Sequence, residues 1–242
     1  MSITSILPRS VAAPGAFVGA ALVIYAVSPF GAADSQQGDA PAPQEQLVSA
    51  NIDATEPTKP SLSDQQLAIL DQYKWDDWVG NGLGVWISVD EQMFRVIHEK
   101  NVVWETQCGT AEKGTGSQMN SNKTPLGWHS VKKKVGDGAP IGQVFRSATP
   151  TKEIWKSGQK TKEDLVLTRI LWLSGEEPGK NLGGNVDSYS RYIYIHGTNE
   201  EEKIGTPSSH GCVRLRNADV IEAFSLVPQG AHILITETKS DQ

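Results

Sequence analysis

The run GVWISVDEQMFRVIHEKNVVWET, residues 84–106, sets the hydrophobic period of the chain to two. Val85, Ile87 and Val89 point one way while Trp86 and Ser88 point the other, which describes a strand. Two further strands are predicted over residues 93–97 and 102–106, across short polar turns at 90–92 and 98–101, so the run forms an antiparallel meander. Later segments rich in β-branched and aromatic residues, 165–173, 191–195 and 232–236, extend the same class. One helix is clear. It starts at Asn217 or Asp219, presents Val220, Ile221, Phe224 and Leu226, and stops at Pro228 and Gly230. The expected fold class from these segments is mainly β with a few short helices. Between strands, residues 136–163 and 174–190 are loops of a length usually associated with binding.

Upstream of the meander, Ser61 followed by Asp64 and then Leu67, Ile69 and Leu70 predicts a capped helix that ends near residues 75–80 and packs outside the domain. Residues 34–60, mostly Gln, Pro, Ala, Asp and Thr, hold too few large apolar side chains to build a core and read as a linker. Arg9 precedes an apolar stretch at 11–27 that ends in Gly31, Ala32 and Ala33, the pattern of an export signal or membrane anchor. The chain therefore divides into an export segment (1–33), a linker (34–60), a helical lead-in (61–83) and a catalytic domain (84–238), with the domain expected in the periplasm or cell envelope.

The 28 acidic and 22 basic residues give a net charge of -6 with no dense Lys/Arg stripe, which argues against nucleic acid as a partner. Lys132 to Lys134 and Glu200 to Glu202 read as solvated charge runs. No nucleotide spacing is present among Gly80, Gly82 and Gly84, so no cofactor is expected. Ser157 and Lys160 match S-x-x-K, but neither S-D-N nor K-T-G follows.

Chemistry concentrates in H-G-T-N (196–199) and S-S-H-G-C-V-R (208–214), separated by eight residues. A cysteine attacks a carbonyl as its thiolate and needs a base, and Cys212 has two candidates, His196 at the end of a predicted strand and His210 two residues away. Gly211 permits close backbone approach, and amides near Cys212 precede a helix where they can meet an oxyanion. Spacing alone leaves other readings open: a Cys108–Cys212 disulfide, or a metal site, although no C-x-x-C or H-E-x-x-H supplies further ligands. His98, His129 and His232 have ordinary strand or loop settings.

These two runs closely resemble the signature of the L,D-transpeptidase catalytic-domain (YkuD/ErfK-type) family, and Thr124-Pro125-Leu126-Gly127 resembles its T-P-x-G element. The resemblance covers residues 84–236 and implies a mainly β (α+β) fold of sandwich-like mixed sheets with a few short helices, with Cys212 as nucleophile, His196 as its base and His210 as a loop-orienting or proton-transferring group. It further implies that Arg214, Ser209, Gly211 and Gly197 contact the substrate. Many relatives carry Asn where this chain has Arg214, whose two-pronged guanidinium suits a substrate carboxylate. The implied reaction is acyl transfer on peptidoglycan stem tetrapeptides, through a thioester with release of D-alanine, leading to 3-3 cross-links or attachment to an outer-membrane lipoprotein. Carbapenem-type inhibitors are implied ligands. Two alternatives remain: an L,D-carboxypeptidase or amidase, and a non-catalytic peptidoglycan-binding module. A papain-like amidase places its cysteine before its histidine, the reverse of the order here.

Overall fold

Alternation in the 84–106 run becomes three strands, β1 (Leu83–Ser88), β2 (Met93–His98) and β3 (Asn101–Gln107), paired antiparallel in sequence order. The computed structural model describes residues 61–238, so the expected export segment and linker lie outside the described residues. Both faces of β1 are buried, which lets one strand serve two cores. Val85 and Ile87 enter the larger, and Trp86 enters a second one on the opposite face. β10 (His232–Thr236) joins β1 in parallel, and Trp86 Nε1 donates to Thr236 Oγ1 at 2.9 Å inside that second core.

From β10 the sheet continues through β4 (Gly127–Val135) to β7 (Val166–Gly175), where it branches. One edge of β7 carries β5 (Gln143–Arg146) at its start and β4 further along; the other carries β8 (Tyr194–Gly197), so that Leu167 pairs with Val144 on one side and Gly197 on the other. β6 (Thr149–Ile154) closes a hairpin with β5, and β9 (Val213–Leu215) lies parallel to β8. The fold is thus mainly β and mixed, as expected, with all ten strands hydrogen-bonded into one sheet. Its β1–β10 and β8–β9 pairs share a core: Val85, Ile87, Ile233 and Ile235 pack in one cluster with Ile195, Val213 and Leu215. α3 (Asn217–Leu226) joins that cluster through Val220, Ala223 and Phe224.

The second core is covered by α1 (Asp64–Gln72) and α2 (Trp75–Trp78), whose Leu70 and Trp75 meet Trp86, Ile97, Trp128 and Leu234. Trp78 stacks on Trp128 at 5.1 Å between ring centroids. Gly84 is needed for this docking, since a Cβ there would stand 2.8 Å from the Trp75 ring. Ser63, not Ser61, caps α1; with Gln66 it forms a reciprocal capping box, while Ser61 bridges to Asn101.

Three sequence expectations need correction. Residues 136–163 are not one loop but contain β5 and β6; β6 is largely exposed and carries Pro150, so no alternation marks it. The Lys132 to Lys134 run lies within β4, where Lys134 Nζ donates to the carbonyl oxygens of Phe224 and, at 2.9 Å, Val227, capping α3. The strand expected at 191–195 begins three residues later, because Tyr192 adopts φ 57° and the chain is still turning there. His196 consequently lies inside β8 rather than in a loop after it. Among the described residues, no helix is long and apolar enough to cross a membrane.

Candidate active site

β8 and β9 are in parallel register, with Ile195 opposite Val213 and His196 opposite Arg214. Side chains alternate along strands, so Ile195 and Val213 face the core while Tyr194, His196, Cys212 and Arg214 share the other face. Standard strand spacing places the Cα atoms of Cys212 and His196 on the order of 8 Å apart on the diagonal. Both cysteines are free, which removes the disulfide alternative; Cys108 is buried and Cys212 half-buried.

The loop before Cys212 is held by its own polar atoms. Ser209 is buried; its hydroxyl donates to the Cys212 carbonyl at 2.6 Å and accepts from Gly211 N at 3.2 Å. Gly211, at φ 123°, brings its carbonyl to Thr124 Oγ1 at 3.2 Å, and Thr124 Oγ1 accepts from Ala111 N at 3.0 Å. The T-P-L-G element thereby braces the cysteine loop. The Gly211 amide is taken by Ser209, so it is not free to meet a developing oxyanion.

Cys212 Sγ accepts from Tyr194 N at 3.4 Å and directs its thiol toward the Tyr192 carbonyl, also at 3.4 Å. Burial pushes the thiol up to about 11, helped by the charge of Asp164, while the Tyr194 amide, Arg214 and Arg191 pull the other way. His196 is buried, and this desolvation holds its imidazole below the ordinary range despite Asp164 and the Gly197 carbonyl. Its Nδ1 faces the Gly197 carbonyl at 2.8 Å. A carbonyl only accepts, so the proton sits on Nδ1 and Nε2 carries the free lone pair. At neutral pH the pair is a thiol and a neutral base.

Arg214 is 1% exposed, with Nη1 on Glu200 Oε2 at 2.8 Å and Nη2 against Asp164 Oδ2. The same Asp164 oxygen accepts from His210 Nδ1 at 3.0 Å, and the His210 side chain is 65% exposed. Partial burial raises the Asp164 carboxyl, but His210 and Arg214 outweigh it and hold it below the usual carboxylate range. Of the residues expected to contact substrate, Arg214, Ser209 and Gly197 have internal partners. The guanidinium and hydroxyl are engaged internally, and a Cβ at Gly197 would lie 2.4 Å from Asn217 Oδ1, so this glycine lets α3 dock.

The acidic run is not merely solvated either, since Glu201 Oε1 accepts from Asn217 N at 2.7 Å at the start of α3. Arg216 takes the N-cap position there, in place of the expected Asn217 or Asp219. His129 is fully buried between the Gly127 carbonyl and Ser188 Oγ, each at 3.0 Å. Among the described residues no group of three His, Cys, Asp or Glu side chains could hold a metal. Asp164 and Glu200 were not legible as site residues: Asp164 lies about fifty residues before Arg214, and the only sequence cue was the need of a buried arginine for carboxylates.

The family model of the L,D-transpeptidase catalytic domain, YkuD, matches residues 83–235. The chain belongs to that family. "Putative L,D-transpeptidase YkuD" of Bacillus licheniformis is 45% identical over 60 residues, 24% of this chain and 36% of that protein. "Probable L,D-transpeptidase ErfK/SrfK" of Escherichia coli K12 is 26% identical over 175 residues, 72% of this chain and 50% of that protein. The matches thus span between about a third and a half of these two relatives' lengths. The solved structure of LD transpeptidase LdtMt1 in complex with imipenem is 17% identical and covers 65% of this chain and 60% of that chain at a TM-score of 0.41.

Proposed function

We propose that this member of the L,D-transpeptidase family is a peptidoglycan L,D-transpeptidase with Cys212 as nucleophile. The observation that carries the reading is a free thiol on the same sheet face as a buried imidazole whose Nδ1 is pinned and whose Nε2 is free. The Cys212 thiol gives its proton to His196 Nε2 as sulfur attacks the carbonyl of the diamino acid at stem position three. The Cys212 amide stabilises the tetrahedral oxyanion. Cleavage of the peptide C–N bond takes the proton back from His196 and releases D-alanine, leaving a thioester. An amine from a second stem, or from an outer-membrane lipoprotein, then attacks the thioester, its proton passes through His196 to sulfur, and the amide bond forms; water in its place gives carboxypeptidase activity. His210, exposed at the mouth of the site, orients the loop and exchanges protons with solvent. The export segment expected over residues 1–33 supports a place in the cell envelope.

Incubation with purified sacculi and identification of the new muropeptides tests this reading. Products containing 3-3 cross-links are expected with the wild type and absent with Cys212→Ala. Unchanged sacculi with folded wild-type protein, in the presence of tetrapeptide donors, would favour the non-catalytic binding module instead.

A further inference from the structure

Asp164 stands outside every motif, yet one of its carboxylate oxygens touches both a buried cation and an exposed imidazole. Arg214 belongs to β9, and His210 belongs to the loop that ends at Cys212. The carboxylate therefore spans the two segments that meet at the sulfur. It is itself anchored at the start of the segment leading into β7, beside Leu165, whose amide donates to Asn199 Oδ1 at 2.8 Å. That bond joins it to the H-G-T-N turn as well. The charged and titratable groups facing this point are His196 and Tyr194 from β8, Arg214 from β9, His210 from the loop, Arg191 from the turn before β8 and Glu200 from the turn after it.

We propose that Asp164 is a positioning residue of this site: its carboxylate fixes the 208–212 loop by holding His210 and Arg214 together, and its negative charge opposes a thiolate at Cys212 while favouring an imidazolium at His196. The two electrostatic effects have opposite consequences. Opposition to the thiolate keeps free Cys212 in its less reactive protonated form. Support for the His196 cation lowers the cost of the step in which the thiol proton arrives there, so the carboxylate contributes when proton transfer and attack are coupled. A thiol arranged this way reacts slowly with indiscriminate electrophiles and faster with a substrate that draws the proton toward His196. A carboxylate holding only the loop would show neither effect.

The acyl-transfer arm of the test rests on the function proposed above; the alkylation arm does not. Iodoacetamide alkylation of the folded protein is followed against pH by intact mass, with buried Cys108 unreacted as the internal sign that the fold is intact. Asp164→Asn is expected to lower the pH midpoint of Cys212 alkylation by at least about half a unit, an approximately twofold faster reaction at pH 8 once the lower nucleophilicity of a weaker base is included. The same variant is expected to release D-alanine from tetrapeptide at least about tenfold more slowly in kcat, with KM little changed. Alkylation faster and turnover slower supports the proposal. An unmoved or raised alkylation midpoint in the folded variant overturns it, whatever happens to turnover. Absence of turnover in the wild type with a lowered alkylation midpoint in the variant overturns the transpeptidase reading and leaves the charge effect standing. Should Asp164→Asn expose Cys108, the double variant Asp164→Asn/Arg214→Met removes both members of the buried pair, and its alkylation midpoint must lie below that of Arg214→Met alone; an equal or higher midpoint overturns the proposal.

Discussion

At the end of β3, Cys108 is packed in the large core, its amide donating to the Gln92 carbonyl at 2.8 Å and its carbonyl accepting from Gly205 N at 2.9 Å. Just before β9, Cys212 is half-buried against Tyr194, with an amide donor on its sulfur. Burial raises both thiols, to about 12 and about 11 respectively. A depressed thiol pKa is thus not what separates a structural cysteine from the candidate nucleophile in this chain. Only Arg95 opposes burial at Cys108, whereas Cys212 has an open side and a histidine with a free Nε2 on its own sheet face. Reactivity here is expected to come from a proton acceptor in reach during attack rather than from a resting thiolate.

The largest expected effect breaks or keeps that contrast outright. Cys212→Ala should reduce D-alanine release from disaccharide tetrapeptide by at least about a thousandfold, and should abolish the covalent carbapenem adduct seen by intact mass. Cys108→Ala should leave both within about twofold. An adduct that persists in Cys212→Ala and vanishes in Cys108→Ala would reverse the assignment.

His196→Asn comes next, with an expected loss of about 10²–10⁴ in kcat, the range for removal of a general base. Because the imidazole lies below its ordinary value, its base form persists below pH 6.5, and wild-type kcat/KM should fall only as pH drops through that lowered value. A wild-type acid limb centred above pH 6.5 would show that some other group supplies the base.

How much of this was legible varied with burial and sequence distance. The meander was readable because β1 to β3 are rich in β-branched and aromatic residues and are separated by short polar turns, although only β3 alternates in burial, and β10 and α3 because β-branched runs and Pro228 and Gly230 bound them. β6 escaped because its side chains are mostly exposed and leave no periodic trace. At the site, Cys212, His196 and the bracing Thr124 were visible as a motif, since each lies in a local run with unusual residue types. Asp164 was not, because its role is set by tertiary proximity to Arg214. Arg214 reads from sequence as a substrate-carboxylate binder for the same reason: nothing local reports that two acids already lie against its guanidinium.

A second pair of environments sharpens the contrast through stability. His129 and His196 are both buried as neutral imidazoles, but His129 has both ring nitrogens partnered and is lowered to about 4. Its unfolded counterpart takes up a proton near pH 6.5, so between that value and about 4 the unfolded chain binds more protons and stability falls as pH falls. The loss should reach about 3 kcal/mol by pH 4, with His196 adding in the same direction. Denaturant titrations from pH 7 to pH 4 measure it. His129→Gln should flatten the slope in that window, and an unaltered slope would assign the acid sensitivity elsewhere.

The smallest effect concerns Cys108 alone. If its role is packing, Cys108→Ser should be worse than Cys108→Ala, because the serine hydroxyl would enter an apolar cluster of Val85, Phe94, Val213 and Leu215. An unpaired buried hydroxyl costs about 1–3 kcal/mol, against about 1 kcal/mol for the small void left by alanine. Unfolding midpoints of the two variants in urea distinguish these costs, and turnover at a temperature where both are folded should stay near wild type. Serine no worse than alanine would mean that the site around residue 108 is more polar or more open than its packing indicates. A tenfold loss of turnover in either folded variant would mean that the two cysteines communicate, which their separate surroundings give no reason to expect.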